Sequence, residues 1–189
     1  MLNQVPIVLA SASPRRKELL ANAEIQFEVC PADIPEVPRP GELPVAFAER
    51  MARGKARAVS RTRHGIILAA DTVVAIDDEI LGKPLDAEDA RRMLRLLSRK
   101  SHKVMTGVCL LGAEFEDVSS ETTEVEFSEI PDKQIREYVS TGEPLDKAGA
   151  YAIQGGAARW VRKVTGDYNN VVGLPVGMVL KMMRNRGVI

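Results

Sequence analysis

The chain has 189 residues, enough for one large domain. It is 45% hydrophobic but only 4% aromatic, so a core must be built from Leu, Val, Ile, Ala and Met. Lysine plus arginine equal aspartate plus glutamate at 26 each, which excludes the basic excess of nucleic-acid and membrane-surface proteins but not a small anion held by local cations.

Pro6 to Ala10 (PIVLA) is a short apolar run that predicts a buried strand. Ser13-Pro14 opens a helix, serine as cap and proline at the first helical position. Phe27 to Cys30 predicts a second strand. Pro31, Pro35, Pro38, Pro40 and Pro44 then mark a loop. A helical pattern runs from about Leu43 to Arg61, and Gly65 to Ile76 (GIILAADTVVAI) predicts a long strand interrupted by Asp71-Thr72. Asp86 caps a further helix whose Ala90, Met93, Leu94 and Leu97 share one face. Val104 to Leu111 and about Ser119 to Phe127 predict strands, and Pro131 to Ser140 a short helix closed by Gly142. Val176, Val179, Leu180 and Met183 give the last helix its stripe. The alternation of strands and helices, without repeat or composition break, predicts one α/β domain over residues 1–189. Cys30 and Cys109 lie in apolar contexts and are expected to be inert core thiols. The chain has no signal-peptide pattern and no apolar run of about 18 residues, so a cytoplasmic protein with no membrane partner is expected.

Four polar intrusions are not needed by such a fold. In Ser11-Ala12-Ser13-Pro14-Arg15-Arg16, arginines occupy a first helical turn, where the helix dipole disfavours cations. A phosphate would relieve that mismatch, bound by free N–H groups, the Ser11 and Ser13 hydroxyls and the guanidinium forks; a solvated basic turn is the other reading. Lys55 interrupts the row Phe47, Met51, Lys55, Val59, either as a snorkelling stem or as an inward cation. Asp71 lies in an apolar strand, where a carboxylate must be paired, metal-bound or at a crevice. Gly82-Lys83-Pro84 is either a plain turn or one in which proline fixes where the lysine points.

Together with Glu36 or Asp33 from the proline-rich loop, these residues form the inventory that phosphoanhydride cleavage requires. Carboxylates hold a divalent metal and deprotonate water, while cations absorb charge on phosphate oxygens. The sequence contains no GxxxxGK[ST] loop, GxGxxG fingerprint or GxSxG elbow. Its two histidines, His64 and His102, have no spaced partners, which argues against a zinc site. One Trp, three Tyr and four Phe argue against a stacking platform for nucleic acid.

The segments LASASPRRKELL, FEV with a nearby glutamate, AADTVVAIDDEILGKP, HKVMTGV, DKAGAYAIQG and GDYNNVVGLP follow one another from Leu9 to about Pro175. In that order they resemble the Maf family. The resemblance implies a single elongated domain like that of the inosine triphosphate pyrophosphatases, with a mixed curved sheet flanked by helices and two lobes around a central cleft. It also implies a homodimer and a metal-dependent nucleoside triphosphate pyrophosphatase using Mg²⁺ or Mn²⁺. By motif, Asp71 matches the carboxylate that takes a proton from water. Ser13, Arg15 and Arg16 match the phosphate turn, Lys55 and Lys83 the lysines, and Glu36 the loop acid expected to bind metal with Asp71. Arg15, Thr72 and Gln154 resemble the branch that prefers dTTP and UTP, as opposed to the 7-methyl-GTP branch. Gln154 and Thr72 offer donors and acceptors suited to a pyrimidine. Two departures stand out: Pro35-Glu36 replaces the usual Asp-Glu, and Gly54 precedes Lys55 where a polar residue is usual. The family's association with arrested septum formation leaves a second expectation, a nucleotide-responsive regulator acting through a partner.

Overall fold

The computed structural model describes residues 5–189. One mixed sheet runs through the chain. Its strands are β1 (Ile7–Leu9), β2 (Glu28–Val29), β3 (Ile66–Ile76), β4 (Glu79–Leu81), β5 (Ser101–Leu111), β6 (Glu116–Phe127) and β7 (Val161–Thr165). The order is β2-β1-β3-β5-β6-β7, with β4 alongside β3. The β2-β1-β3 part is parallel and the rest antiparallel. The helices are α1 (Pro14–Asn22), α2 (Pro44–Ser60), α3 (Ala87–Leu97), α4 (Asp132–Ser140), α5 (Tyr168–Val172) and α6 (Val176–Asn185).

Helix starts follow the capping chemistry read from sequence. Asp86 accepts from the Asp89 N–H at 2.8 Å, and Ser13 accepts from the Arg16 N–H at 3.5 Å, with no acidic residue in that first turn. Gly142 adopts a left-handed conformation just beyond α4.

The two sheet faces bury different partners because side chains alternate along a strand. Ile67, Ala69, Val73 and Ala75 of β3 face α2, meeting Phe47, Ala48, Met51, Ala52, Ala56 and Val59. Leu68 and Ala70 face the other way, onto Leu20 of α1 and Val179, Met182 and Met183 of α6. On that same side Val74 and Ile76 join α3, α4 and the aromatic cluster around Phe127. Asp71 therefore belongs to the α2 side and Thr72 to the α1 side.

The sequence expectations differ from the fold mainly where strands are polar. The edge strand β7 is half-buried only at Val161 and Val164, with Arg162, Lys163 and Thr165 exposed, so it lacks the alternation that would reveal it. The first half of β6 is only half-buried, so its start at Glu116 precedes the expected Ser119. In α6, Val176 and Leu180 are only partly buried and Met182 takes their place in the stripe. Both cysteines are free, and burial pushes the Cys109 thiol up to about 12. Among the described residues no helix is long and apolar enough to cross a membrane.

Candidate active site

The cleft arises where β3 loses its neighbour along one edge. β1 accompanies β3 only as far as Leu9 opposite Leu68, with one further bond from the Ala10 N–H to the Leu68 carbonyl at 2.8 Å. β4 joins only at Val74 opposite Leu81. Between them Ala69 to Val73 are unpartnered on this edge, while the other edge pairs with β5 throughout. A cleft of about 800 Å³ opens there. The turn after β1 (Ser11, Ser13, Arg15, Arg16) lines it together with Gly82 and Lys83 after β4. A crevice beyond the carboxyl end of a parallel strand is the usual ligand position in α/β sheets.

On the α2 side the side chains form a chain of alternating charge. Lys55 Nζ lies 2.6 Å from Asp71 Oδ1 and 2.6 Å from Glu36 Oε1. Lys83 Nζ lies 3.9 Å from Glu36 Oε2. Asp71 is 7% exposed and Lys55 8%, so their attraction is little screened. The inward-cation reading of Lys55 is the one realised. Burial lifts the Asp71 carboxyl above its ordinary value, and the Lys55 ammonium and Arg16 offset this only in part. Burial also acts on Glu36, but the Lys55 hydrogen bond and the charges of Lys55, Lys83 and Arg16 outweigh it and hold that carboxyl below its usual value. Asp33 is exposed and outside the cleft, so Glu36 is the loop acid that reaches it.

Gly107 permits this closeness. It lies opposite Asp71 in the β3–β5 register. A Cβ there would sit 2.4 Å from the Ala48 carbonyl carbon of α2. The helix carrying Lys55 therefore rests directly on the β5 backbone.

On the α1 side Arg16 ties three segments together. Its Nε donates to the Gly173 carbonyl at 2.8 Å, Nη1 to Ser11 Oγ at 3.2 Å and Nη2 to Thr72 Oγ1 at 3.0 Å. Thr72 Oγ1 is also 2.9 Å from Thr106 Oγ1, which donates to the Asn170 carbonyl at 3.2 Å. Arg16 and Thr72 thus both line the cleft with their polar atoms already engaged. Arg15 lines it too, half-buried and without an ion-pair partner among the described residues.

The rest of the cleft is largely apolar, with Val74, Val104, Tyr151, Ala152, Ile153 and Val172 on its walls. The Tyr151 hydroxyl lies 2.8 Å from His102 Nε2. Burial lowers His102 to about 4, so it is neutral at pH 7. Gln154 is exposed and not on the cleft wall, unlike the other site residues expected from sequence. Sequence reading assigned no role to Lys147, which lines the cleft beside its ion-pair partner Asp146. Both lie in an irregular stretch, Glu143–Ala150, where no periodicity points to a face.

The site's fit to a divalent cation can be judged from its donors. Glu36 and Asp71 converge on one cationic position, held by the Lys55 ammonium. The described residues contain no cluster of three or more His, Cys, Asp or Glu side chains. Two carboxylates suit an ion such as Mg²⁺, which is commonly held by one or two carboxylates together with substrate phosphates.

Known proteins resemble this chain over nearly its whole length. A protein of Koribacter versatilis (strain Ellin345), described as a dTTP/UTP pyrophosphatase, is 53% identical over 97% of this chain and 95% of its own length. One of Geobacter sp. (strain M21) with the same description is 54% identical over 97% and 96%. A solved Mycobacterium abscessus structure, described as a nucleoside-triphosphatase / dITP/XTP pyrophosphatase, covers 97% of this chain and 95% of that one at 17% identity, with a TM-score of 0.49. The family model described as Maf-like protein matches residues 6–186, a span that holds the whole cleft, and the chain belongs to the Maf family.

Proposed function

We propose that this protein is a hydrolase that cuts nucleoside triphosphates, dTTP and UTP foremost, between the α- and β-phosphates. The observation carrying the proposal is the buried Asp71–Lys55 pair, joined at the cleft mouth by Glu36 and facing a basic turn across one cleft. The base preference rests on the names of relatives more than half identical to this chain.

In this reading the triphosphate lies against Ser13, Arg15, Lys83 and the N-terminus of α1, with Arg16 supplying positive potential from behind. The base and sugar lie on the apolar wall of Val104, Tyr151 and Ile153. Asp71 accepts a proton from water as its oxygen bonds to the α-phosphorus. The bond to the bridging oxygen breaks, and pyrophosphate leaves with that electron pair. A raised carboxyl value brings Asp71 closer to the operating pH, as a general base requires. Lys55 and Lys83 balance charge on the phosphate oxygens. Glu36 and Asp71 would hold a divalent cation, Mg²⁺ or Mn²⁺, which when bound neutralises phosphate charge and acidifies water.

The test is a panel of nucleoside triphosphates, including 7-methyl-GTP, with Mg²⁺ or Mn²⁺, assayed separately for pyrophosphate and orthophosphate. Pyrophosphate from dTTP and UTP with little from purines is expected. Turnover of 7-methyl-GTP alone would overturn the base assignment. Orthophosphate as the first product would overturn the reaction.

A further inference from the structure

The apolar wall is held from behind by two residues that no step above uses. The Tyr138 hydroxyl donates to Glu143 Oε1 at 2.7 Å and accepts from the Ala152 N–H at 3.1 Å. The same carboxylate accepts from the Gly156 N–H at 3.2 Å. Tyr138 and Glu143 therefore fasten both ends of the segment whose Tyr151, Ala152 and Ile153 line the cleft. The Glu143 carboxylate packs against this segment, since a Cβ at Gly155 would sit 2.0 Å from Glu143 Oε1. The Tyr138 ring stands edge-on to Trp160 at 5.1 Å between centroids, which fixes where its hydroxyl reaches. Within the fastened segment the N–H groups of Tyr151 and Ile153 make no hydrogen bond among the described residues. A fixed N–H donor pairs with the O4 carbonyl of thymine or uracil and opposes the amino group at that position in cytosine. A site built on such bonds rejects the mismatched base because its polar groups are left unpaired.

We infer that Tyr138 and Glu143 are positioning residues that clamp Tyr151–Gly156 and so set how tightly and how selectively the base is held. The inference rests on the pyrimidine nucleotide reading above. It does not involve the phosphate chemistry, so losing the clamp leaves the reacting groups in place.

The test uses Tyr138→Phe, which keeps the ring, and Glu143→Met, which keeps the length of the side chain but removes the carboxylate acceptor of both hydrogen bonds. The KM for dTTP is expected to rise about tenfold, the effect of one hydrogen bond, while kcat stays within about threefold. The preference for dTTP over dCTP is expected to fall by a similar factor. Amide exchange should quicken at Ala152 in Tyr138→Phe and at Gly156 in Glu143→Met. Unchanged KM and base preference in the folded variants, or a loss confined to kcat, would overturn the clamp. If Tyr138→Phe does not fold, Glu143→Met decides, because the half-exposed side chain at 143 supports little of the core. Base selectivity is also measured without turnover, as the affinity for dTMP against dCMP. A protein that hydrolyses nothing yet loses that selectivity in the variants would sink the pyrophosphatase reading and leave the clamp standing. Equal affinity for the two in the unaltered protein would sink the clamp.

Discussion

Replacing Asp71 by asparagine separates catalysis from stability. The substitution keeps the size of the side chain and an oxygen for the Lys55 ammonium, which still has Glu36 at 2.6 Å. It removes the proton acceptor and one of the two carboxylates available to a cation. A positioned general base is worth roughly 10²–10⁴ in rate, and loss of a metal ligand adds to that. The expected fall in kcat is therefore on the order of 10³–10⁴, or about 4–5.5 kcal/mol of barrier. Stability should move the other way. The folded-state value of Asp71 lies above its ordinary one, so its ionisation opposes folding. That penalty is absent below the ordinary carboxylate range and fully present above the folded-state value. At pH 7 Asp71→Asn should unfold at an equal or higher temperature than the unaltered protein. Turnover with dTTP and a thermal melt at pH 5 and pH 8 check both. Turnover within tenfold of the unaltered protein, or a large loss of melting temperature at pH 8, would refute the reasoning.

Other consequences follow from the same contacts. Lys55→Met strands Asp71 without its 2.6 Å partner and should cost about 3–5 kcal/mol at neutral pH. The loss should shrink as pH falls and Asp71 takes up a proton, which denaturant titration across pH would detect. The acid limb of kcat/KM should lie above the usual carboxylate range because Asp71 is raised, whereas Glu36 is held low and stays ionised. A Glu36→Gln variant with any residual rate should therefore keep that limb, and its disappearance would reassign the titrating group. Gly107→Ala would press on the α2 backbone at 2.4 Å and should destabilise by about 1–3 kcal/mol. It should also lower kcat by shifting Lys55, and wild-type kinetics in that variant would show that α2 has room to move.

Much of this site is legible in the sequence because its residues violate local rules. Lys55 breaks an apolar helical row, Asp71 an apolar strand, and Arg15 and Arg16 the dipole preference of a helix start. Each violation marks a residue facing the cleft. Glu36 and Asp33 could not be separated in the same way, because a proline-rich loop has no periodicity to give a direction; only the folded loop puts Glu36 on Lys55. Arg16 reads as a phosphate ligand in sequence, yet its guanidinium binds Gly173, Ser11 and Thr72. Those partners come together only in three dimensions. Lys147, Tyr138 and Glu143 break no local rule, and nothing in their neighbours announces a role. Gln154 shows the opposite case: its chemistry suits a base, but the turn that carries it points it to solvent.

The central claim is that water attacks the α-phosphorus at Asp71. Hydrolysis of dTTP in ¹⁸O-labelled water, with the products separated and weighed by mass spectrometry, tests it most directly. The label is predicted in dTMP, with none in pyrophosphate. Label in pyrophosphate would place the attack on the β-phosphorus and contradict the assigned geometry, even though the products would be the same.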